Sequence, residues 1–155
     1  MRKLVVFLLA LGLTGVVYAD SPFTGTWKLN VAKSKTASYP NAPKAETVTV
    51  TESNDTRNVA VQGTDASGKA FTEHFTHPLS GGTVKYSEGG ATDGTTESVK
   101  KINANTVHAT FMKDGKEAGT ERITVSPDGK TMRIMERGTS PDGKPVSGEF
   151  VFEKQ

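Results

Sequence analysis

Phe23-Thr24-Gly25-Thr26-Trp27-Lys28-Leu29 decides the fold class of this chain. Phe23, Gly25, Trp27 and Leu29 share one parity, while Thr24, Thr26 and Lys28 take the other. That alternation is the pattern of a strand buried on one face, and here it carries the only tryptophan. The rest of the chain is made of similar material. Beyond residue 19 there are 20 Thr and 11 Val but only two Leu, Leu29 and Leu79. β-branched side chains sit well on a pleated surface, whereas helices are built on Leu, Ala and Glu. The expectation is an all-β, antiparallel fold.

Residues 1–19 read as a leader. Arg2 and Lys3 precede a mostly apolar run from Leu4 to Val17, and Val17-Tyr18-Ala19 places small residues before Asp20. This is the pattern of a secretory signal peptide cleaved after Ala19, with residues 20–155 left as a single domain. An uncleaved anchor is the lesser alternative, because the apolar run is short for a membrane span. The expected location is outside the cytoplasm, periplasmic or extracellular. No cysteine is present, so neither lipidation of a processed N-terminal Cys nor a disulfide is available.

Removing the leader changes the charge argument. The chain has 19 Lys+Arg and 17 Asp+Glu; without Arg2 and Lys3 the two totals are equal at 17. A neutral domain has no basic field to attract nucleic acid or an anionic membrane. Neither is expected as a partner, and no integral membrane segment is expected after cleavage. The remaining 136 residues (155 minus 19) suffice for one core.

Short alternating segments follow the first strand. Val48 and Val50 mark a strand over 46–52, and Val59 and Val61 another over 57–62. Phe71 and Phe75 mark 69–76, with Glu73 between them on the same face. Val84 and Tyr86 mark 83–87, and a glycine-rich stretch then leads to a less regular strand over 95–102. Val107, Ala109 and Phe111 define 106–112, Ile123 and Val125 close 117–125, Met132 and Ile134 mark 131–137, and Phe150 and Phe152 mark 146–152. Asp114-Gly115, Pro127-Asp128-Gly129 and Pro141-Asp142-Gly143 are turn signals between them. Such spacing predicts a meander closed into a barrel or sandwich, of ten strands, or eight if the weaker ones merge. The form this favours is an antiparallel up-and-down β-barrel. Between the first two strands, residues 31–44 hold Pro40 and Pro43. They predict a loop over one end of the barrel, with Asn30 capping at most one helical turn.

A shift of 75 positions lays residues 46–75 over 121–150 with nine of 30 residues identical, among them Glu46/Glu121, Val50/Val125, Gly63/Gly138 and Phe75/Phe150. An internal duplication and the shared composition of hairpin proteins both account for this.

Phe-x-Gly-Thr-Trp-Lys-Leu resembles the first strand of the calycins, the superfamily of lipocalins and fatty-acid-binding proteins. Its Gly-x-Trp element maps here to Gly25 and Trp27. Phe152-Glu153-Lys154 resembles the Tyr-Glu-Lys ending of fatty-acid-binding proteins, and the run from Gly25 to Lys35 is similar to small secreted bacterial proteins described as lipocalin-like. The resemblance implies a barrel whose tryptophan closes one end. It also implies an arginine packed on that tryptophan, for which Arg122 and Arg137 are the alternatives. The sequence departs from fatty-acid-binding proteins where an Arg-x-Tyr clamps a carboxylate, since Phe150 and Phe152 stand at those positions.

Catalytic and metal signals are weak. Glu73-His74-Phe75-Thr76-His77 gathers two of the three histidines, but His74 and His77 face opposite sides of a strand, and Glu73 and His77 lie about 13 Å apart along it. Zinc needs three or four convergent ligands, so no metal is expected and the histidines read as solvent-facing. No Gly-x-Ser-x-Gly elbow, carboxylate couple or phosphate-binding loop is present, and no cofactor is implied. Asn54-Asp55-Thr56 is a formal glycosylation sequon.

What remains is a cavity. Its candidate lining is Trp27, Phe71, Phe75, Tyr86, Phe111, Phe150 and Phe152, with Glu73 and Glu136 at an open mouth because a buried unpaired carboxylate is costly. The leading expectation is a secreted, non-catalytic barrel that binds a small apolar or amphiphilic molecule. The alternatives are an interaction module with a filled core and an unidentified protein partner, and an enzyme using Glu73 and His74 at the barrel mouth.

Overall fold

A computed structural model describes residues 21–39, 41–90, 93–140 and 143–155. The leader at 1–19, Pro40 in the first loop, and Pro141 and Asp142 in the last turn signal lie outside the described residues.

Eleven strands form one antiparallel sheet. They are β1 (Gly25–Leu29), β2 (Ala45–Ser53), β3 (Thr56–Thr64), β4 (Ala70–Pro78), β5 (Gly81–Thr83), β6 (Lys85–Glu88), β7 (Thr96–Asn103), β8 (Thr106–Lys113), β9 (Lys116–Val125), β10 (Thr131–Thr139) and β11 (Pro145–Lys154). Their order is β5-β7-β8-β9-β10-β11-β1-β2-β3-β4-β6, so the two edge strands, β5 and β6, are consecutive in the chain with only Val84 between them. The segment 81–88 therefore bridges the sheet's two edges. Its first half pairs with β7 and its second with β4, which nearly closes the barrel. Ten expected strands become eleven because this one strand changes partner midway. Beyond Val84, whose N–H donates to the Glu97 carbonyl at 2.9 Å, β6 and β7 are unpaired and leave a seam.

Local chemistry sets the hairpins. Asn54 and Asp55 both have positive φ, 49° and 59°, and join β2 to β3 in a two-residue turn of the kind that matches strand twist. The sequon thus occupies a hairpin turn. Asp114 and Gly115, φ 51° and 75°, do the same between β8 and β9. The two repeated segments agree in part. β3–β4 and β10–β11 share their register under the 75-residue shift, as Thr56↔Pro78 and Thr131↔Glu153 show, while β2–β3 and β9–β10 differ by two positions.

The core fills one end of the barrel. Trp27 and Ala109 are fully buried, and Phe23, Val50, Val59, Val107, Val125, Met132 and Phe152 surround them. The Trp27 Nε1–H donates to the Phe23 carbonyl at 2.8 Å, which satisfies the indole's one donor. Neither Arg122 nor Arg137 covers the indole. Both project from the outer parity of β9 and β10 and are exposed; Lys154, paired across from Trp27, lies 5.2 Å from its ring instead. The arginine that does enter is Arg57, 4.1 Å over the Phe23 ring and bonded to the Glu52 carboxylate at 2.6 and 2.8 Å.

His77 corrects a second expectation. It is buried at this closed end, 5 % exposed, with Nδ1 2.9 Å from the Pro78 carbonyl, rather than facing solvent. The histidine proton is disfavoured there, by burial first and then by Arg57, although the Pro78 carbonyl opposes the shift.

Removing one partner of a buried ion pair strands the other. Arg57→Ala is therefore expected to cost about 3 kcal/mol, read as a lower urea midpoint, and the double variant Arg57→Leu/Glu52→Leu to recover most of that loss.

Candidate functional site

The other end of the barrel is hollow. A cavity of about 390 Å³ lies between the aromatic side chains and the opening. Its lining follows from the inward parity of each strand above the core. β4 contributes Phe71, Glu73 and Phe75, β8 contributes Phe111, and β11 contributes Phe150 and Phe152. Tyr86 of β6 stands at the rim, 37 % exposed, with its ring 5.2 Å from that of Phe75. Six of the seven candidates thus line one space. Trp27 does not: it is 0 % exposed and sits in the filled end, so cavity lining is not its role.

Room for the cavity comes from inward positions without side chains. Gly119 and Gly138 face each other across β9 and β10, one inward step above the Glu121–Glu136 pair. At two places an aromatic ring occupies the vacated space. A Cβ on Gly63 would come within 2.6 Å of the Phe71 ring, and one on Gly148 within 2.9 Å of the Phe150 ring. Both rings are therefore fixed against glycine backbone.

The first loop covers the opening, as its prolines suggest. Asn30 caps a single 3-10 turn, Val31–Lys33, by accepting the Lys33 N–H at 3.1 Å. The chain then runs beside β11, with Lys35 and Glu149 exchanging backbone hydrogen bonds at 2.7 and 2.9 Å. From there Tyr39 reaches over the cavity. Its ring meets Phe150 edge-on at 5.5 Å, and its hydroxyl donates to the Glu136 carboxylate. Asn41 and Pro43 complete this cover.

The acidity of the cavity was only half visible in the sequence. Glu73 and Glu136 do face inward, but Glu46, Glu97 and Glu121 join them. Parity contains the missing signal: each of the three lies two residues before an inward aliphatic, Val48, Val99 or Ile123. Glu121 and Glu136 are directly opposed on β9 and β10. Like charges in that position repel.

Burial raises Glu46, Glu97, Glu121 and Glu136, and repulsion from neighbouring carboxylates adds to it at Glu46, Glu97 and Glu121. Glu46 is pushed up to about 7, by burial first, then by Glu73 and Glu136. Glu121 is held well above the usual carboxylate range by burial, and further by Glu136, Glu97, Glu46 and Glu73. Glu97 and Glu136 are also raised by burial, although each accepts a tyrosine hydroxyl that works the other way: Tyr86 to Glu97 at 2.5 Å, and Tyr39 to Glu136. The Tyr86–Glu97 bond spans the seam between β6 and β7.

Other candidates disperse. His74 lies on the outer face, 3.2 Å from Glu88, while Glu73 beside it points inward, so the two do not act on one substrate atom. His108 is on the outer face of β8, opposite Lys100 and Arg122. Among the described residues no group of three or more His, Asp or Glu is placed to hold a metal ion, and no helix is long and apolar enough to cross a membrane.

No protein-family model matches the sequence, and no curated protein matches it. Among solved structures, two redesigned β-barrels bound to DFHBI align with it. mFAP1 is 16% identical, covering 86% of this chain and 95% of its own, with a TM-score of 0.38. mFAP0 is also 16% identical, covering 83% and 97%, with a TM-score of 0.36. These likenesses are too distant to bear on the site; the barrel rests on its own strand register.

The raised carboxyls make stability depend on pH. Each binds its proton more tightly in the folded state, so the stability this contributes is complete below the ordinary carboxyl value and is lost as pH rises through the folded value, about 7 for Glu46. The depressed His77 acts oppositely and destabilises the fold below its ordinary value of 6.5. The ligand-free protein is expected to unfold at a lower urea concentration at pH 8 than at pH 6. Glu121→Gln should flatten that decline and exceed the wild type at pH 8, as urea titrations at both pH values would show.

Proposed function

We propose that this chain is an exported, non-catalytic β-barrel that takes up a small amphiphilic molecule in the cavity under Tyr39, in the manner of the lipocalin-like proteins its Gly25–Trp27 strand resembles. The observation that carries this reading is the division of the barrel interior. One end is filled by Trp27, Val125, Met132 and their neighbours, while the other keeps about 390 Å³ walled by Phe71, Phe75, Phe111 and Phe150. That volume lies within the range of small-molecule sites, which are concave and mostly apolar with a few polar groups. The hollow favours ligand binding over an interaction module with a filled core. With His74 outside the barrel and Glu73 inside, the enzyme reading loses the pair of residues that motivated it.

Native mass spectrometry on protein purified from its own host is expected to show an added mass that denaturation removes. In parallel, the neutral dye N-phenyl-1-naphthylamine should brighten on binding. Val61→Phe, which grows a ring into the cavity from its floor, is expected to weaken the dye about tenfold, equivalent to roughly 1.4 kcal/mol, with the far-UV circular dichroism unchanged. A wild-type protein that carries no added mass and leaves the dye dark would defeat the proposal.

A further inference from the structure

The charge of this cavity has one sign. Glu46, Glu73, Glu97, Glu121 and Glu136 enter it from five different strands, and among the described residues lining it there is no Lys, Arg or His. The charges acting on Glu46, Glu97 and Glu121 are themselves carboxylates, with no cation among them. Two of the five have a neutral donor, Tyr39 for Glu136 and Tyr86 for Glu97.

Glu121 has none. It lies on the inward face of β9, accepts no hydrogen bond from any described residue, and the surface it retains opens onto the cavity. A carboxylate set among apolar groups without a partner is costly. Such a group is satisfied by a proton or by a cation that enters with the ligand.

Building on the reading of the cavity as a ligand site, we propose that its occupant is an organic cation, an ammonium group on an aromatic or otherwise hydrophobic body, and that Glu121 receives the ammonium. The body lies against Phe71, Phe75, Phe111 and Phe150, whose π faces also attract positive charge. The opposed Glu121–Glu136 pair would be poor design for a neutral guest, but it forms a divided counter-charge for a cationic one. The same field repels a carboxylate ligand, so specificity arises from what is excluded as well as from what is held. A bare metal ion is not the natural guest, since among the described residues no three ligating groups converge.

The protonation of the site supplies a signature. Glu46, Glu73, Glu97 and Glu136 all face Glu121, with the Tyr39 and Tyr86 hydroxyls beyond two of them. At neutral pH part of this cluster holds protons, and an arriving ammonium displaces them. Binding should therefore release protons near pH 7, seen calorimetrically as an apparent enthalpy that changes with the ionisation enthalpy of the buffer. Apolar burial alone has no such dependence.

Three probes of nearly equal size separate the possibilities: 2-naphthylmethylamine, which is protonated at pH 8, 2-naphthylmethanol, and 2-naphthoate. In titration calorimetry at pH 8 the amine is expected to bind at least about tenfold tighter than the alcohol, with the naphthoate weakest. Glu121→Gln should cut that preference more than any other single substitution in the cavity. Glu73→Gln and Glu136→Gln serve beside it, each lowering the amine's affinity by a smaller factor. Equal affinities for amine and alcohol, or a preference for naphthoate, would overturn the cation assignment while leaving the ligand site standing. Failure of all three probes to bind would remove both. An amine preference left undiminished by Glu121→Gln would overturn the role given to that residue.

Discussion

The bond from the Trp27 indole to the Phe23 carbonyl, 2.8 Å long and wholly buried, lets the indole fill the closed end of the barrel with its one donor satisfied. Around it the inward faces of β1, β2, β3, β8, β9, β10 and β11 bring their buried apolar side chains into one cluster. This end supplies the burial that stabilises the fold. It also frees the opposite end from that duty, so that glycines and carboxylates stand at inward positions where a protein built only for stability would place Val or Leu. The hollow depends on the seal beneath it.

Much of the fold was legible because most strands alternate cleanly. Val48 and Val50, Val107 and Phe111, or Phe150 and Phe152 each fix which parity faces in, and the structure keeps those faces. The departures have physical causes. The strand over 83–87 became two because the central segment serves as both edges of the sheet, a property of closure that no local pattern encodes. His77 was placed in solvent because polarity was read residue by residue. Its parity, shared with Phe71 and Phe75, already put it inside, next to Arg57 and Glu52.

The site was legible in its apolar half and missed in its polar half. Six of the candidate aromatic residues line one space, whereas Trp27 lies in the filled end, because parity tells which side a residue faces but not how far along the barrel it lies. For Glu46, Glu97 and Glu121 the obstacle was the ordinary rule that carboxylates stay outside. The rule gives way where a cavity provides space and burial favours the neutral carboxyl. Tyr39 was beyond reach for another reason: an irregular loop gives no periodic signal, and its hydroxyl meets Glu136, 97 positions further along the chain.

Strand order has a kinetic consequence. From β2 to β4 and from β7 to β11 every neighbouring pair is a hairpin, local in sequence and quick to form. The pairing of β1 with β11, Leu29 opposite Phe152, instead joins positions more than a hundred residues apart. Loop-closure entropy makes such a contact slow. Because Trp27 lies on β1 and away from the cavity, its emission reports the moment the wall is zipped between the first and last strands, and it is nearly blind to whether the barrel is occupied.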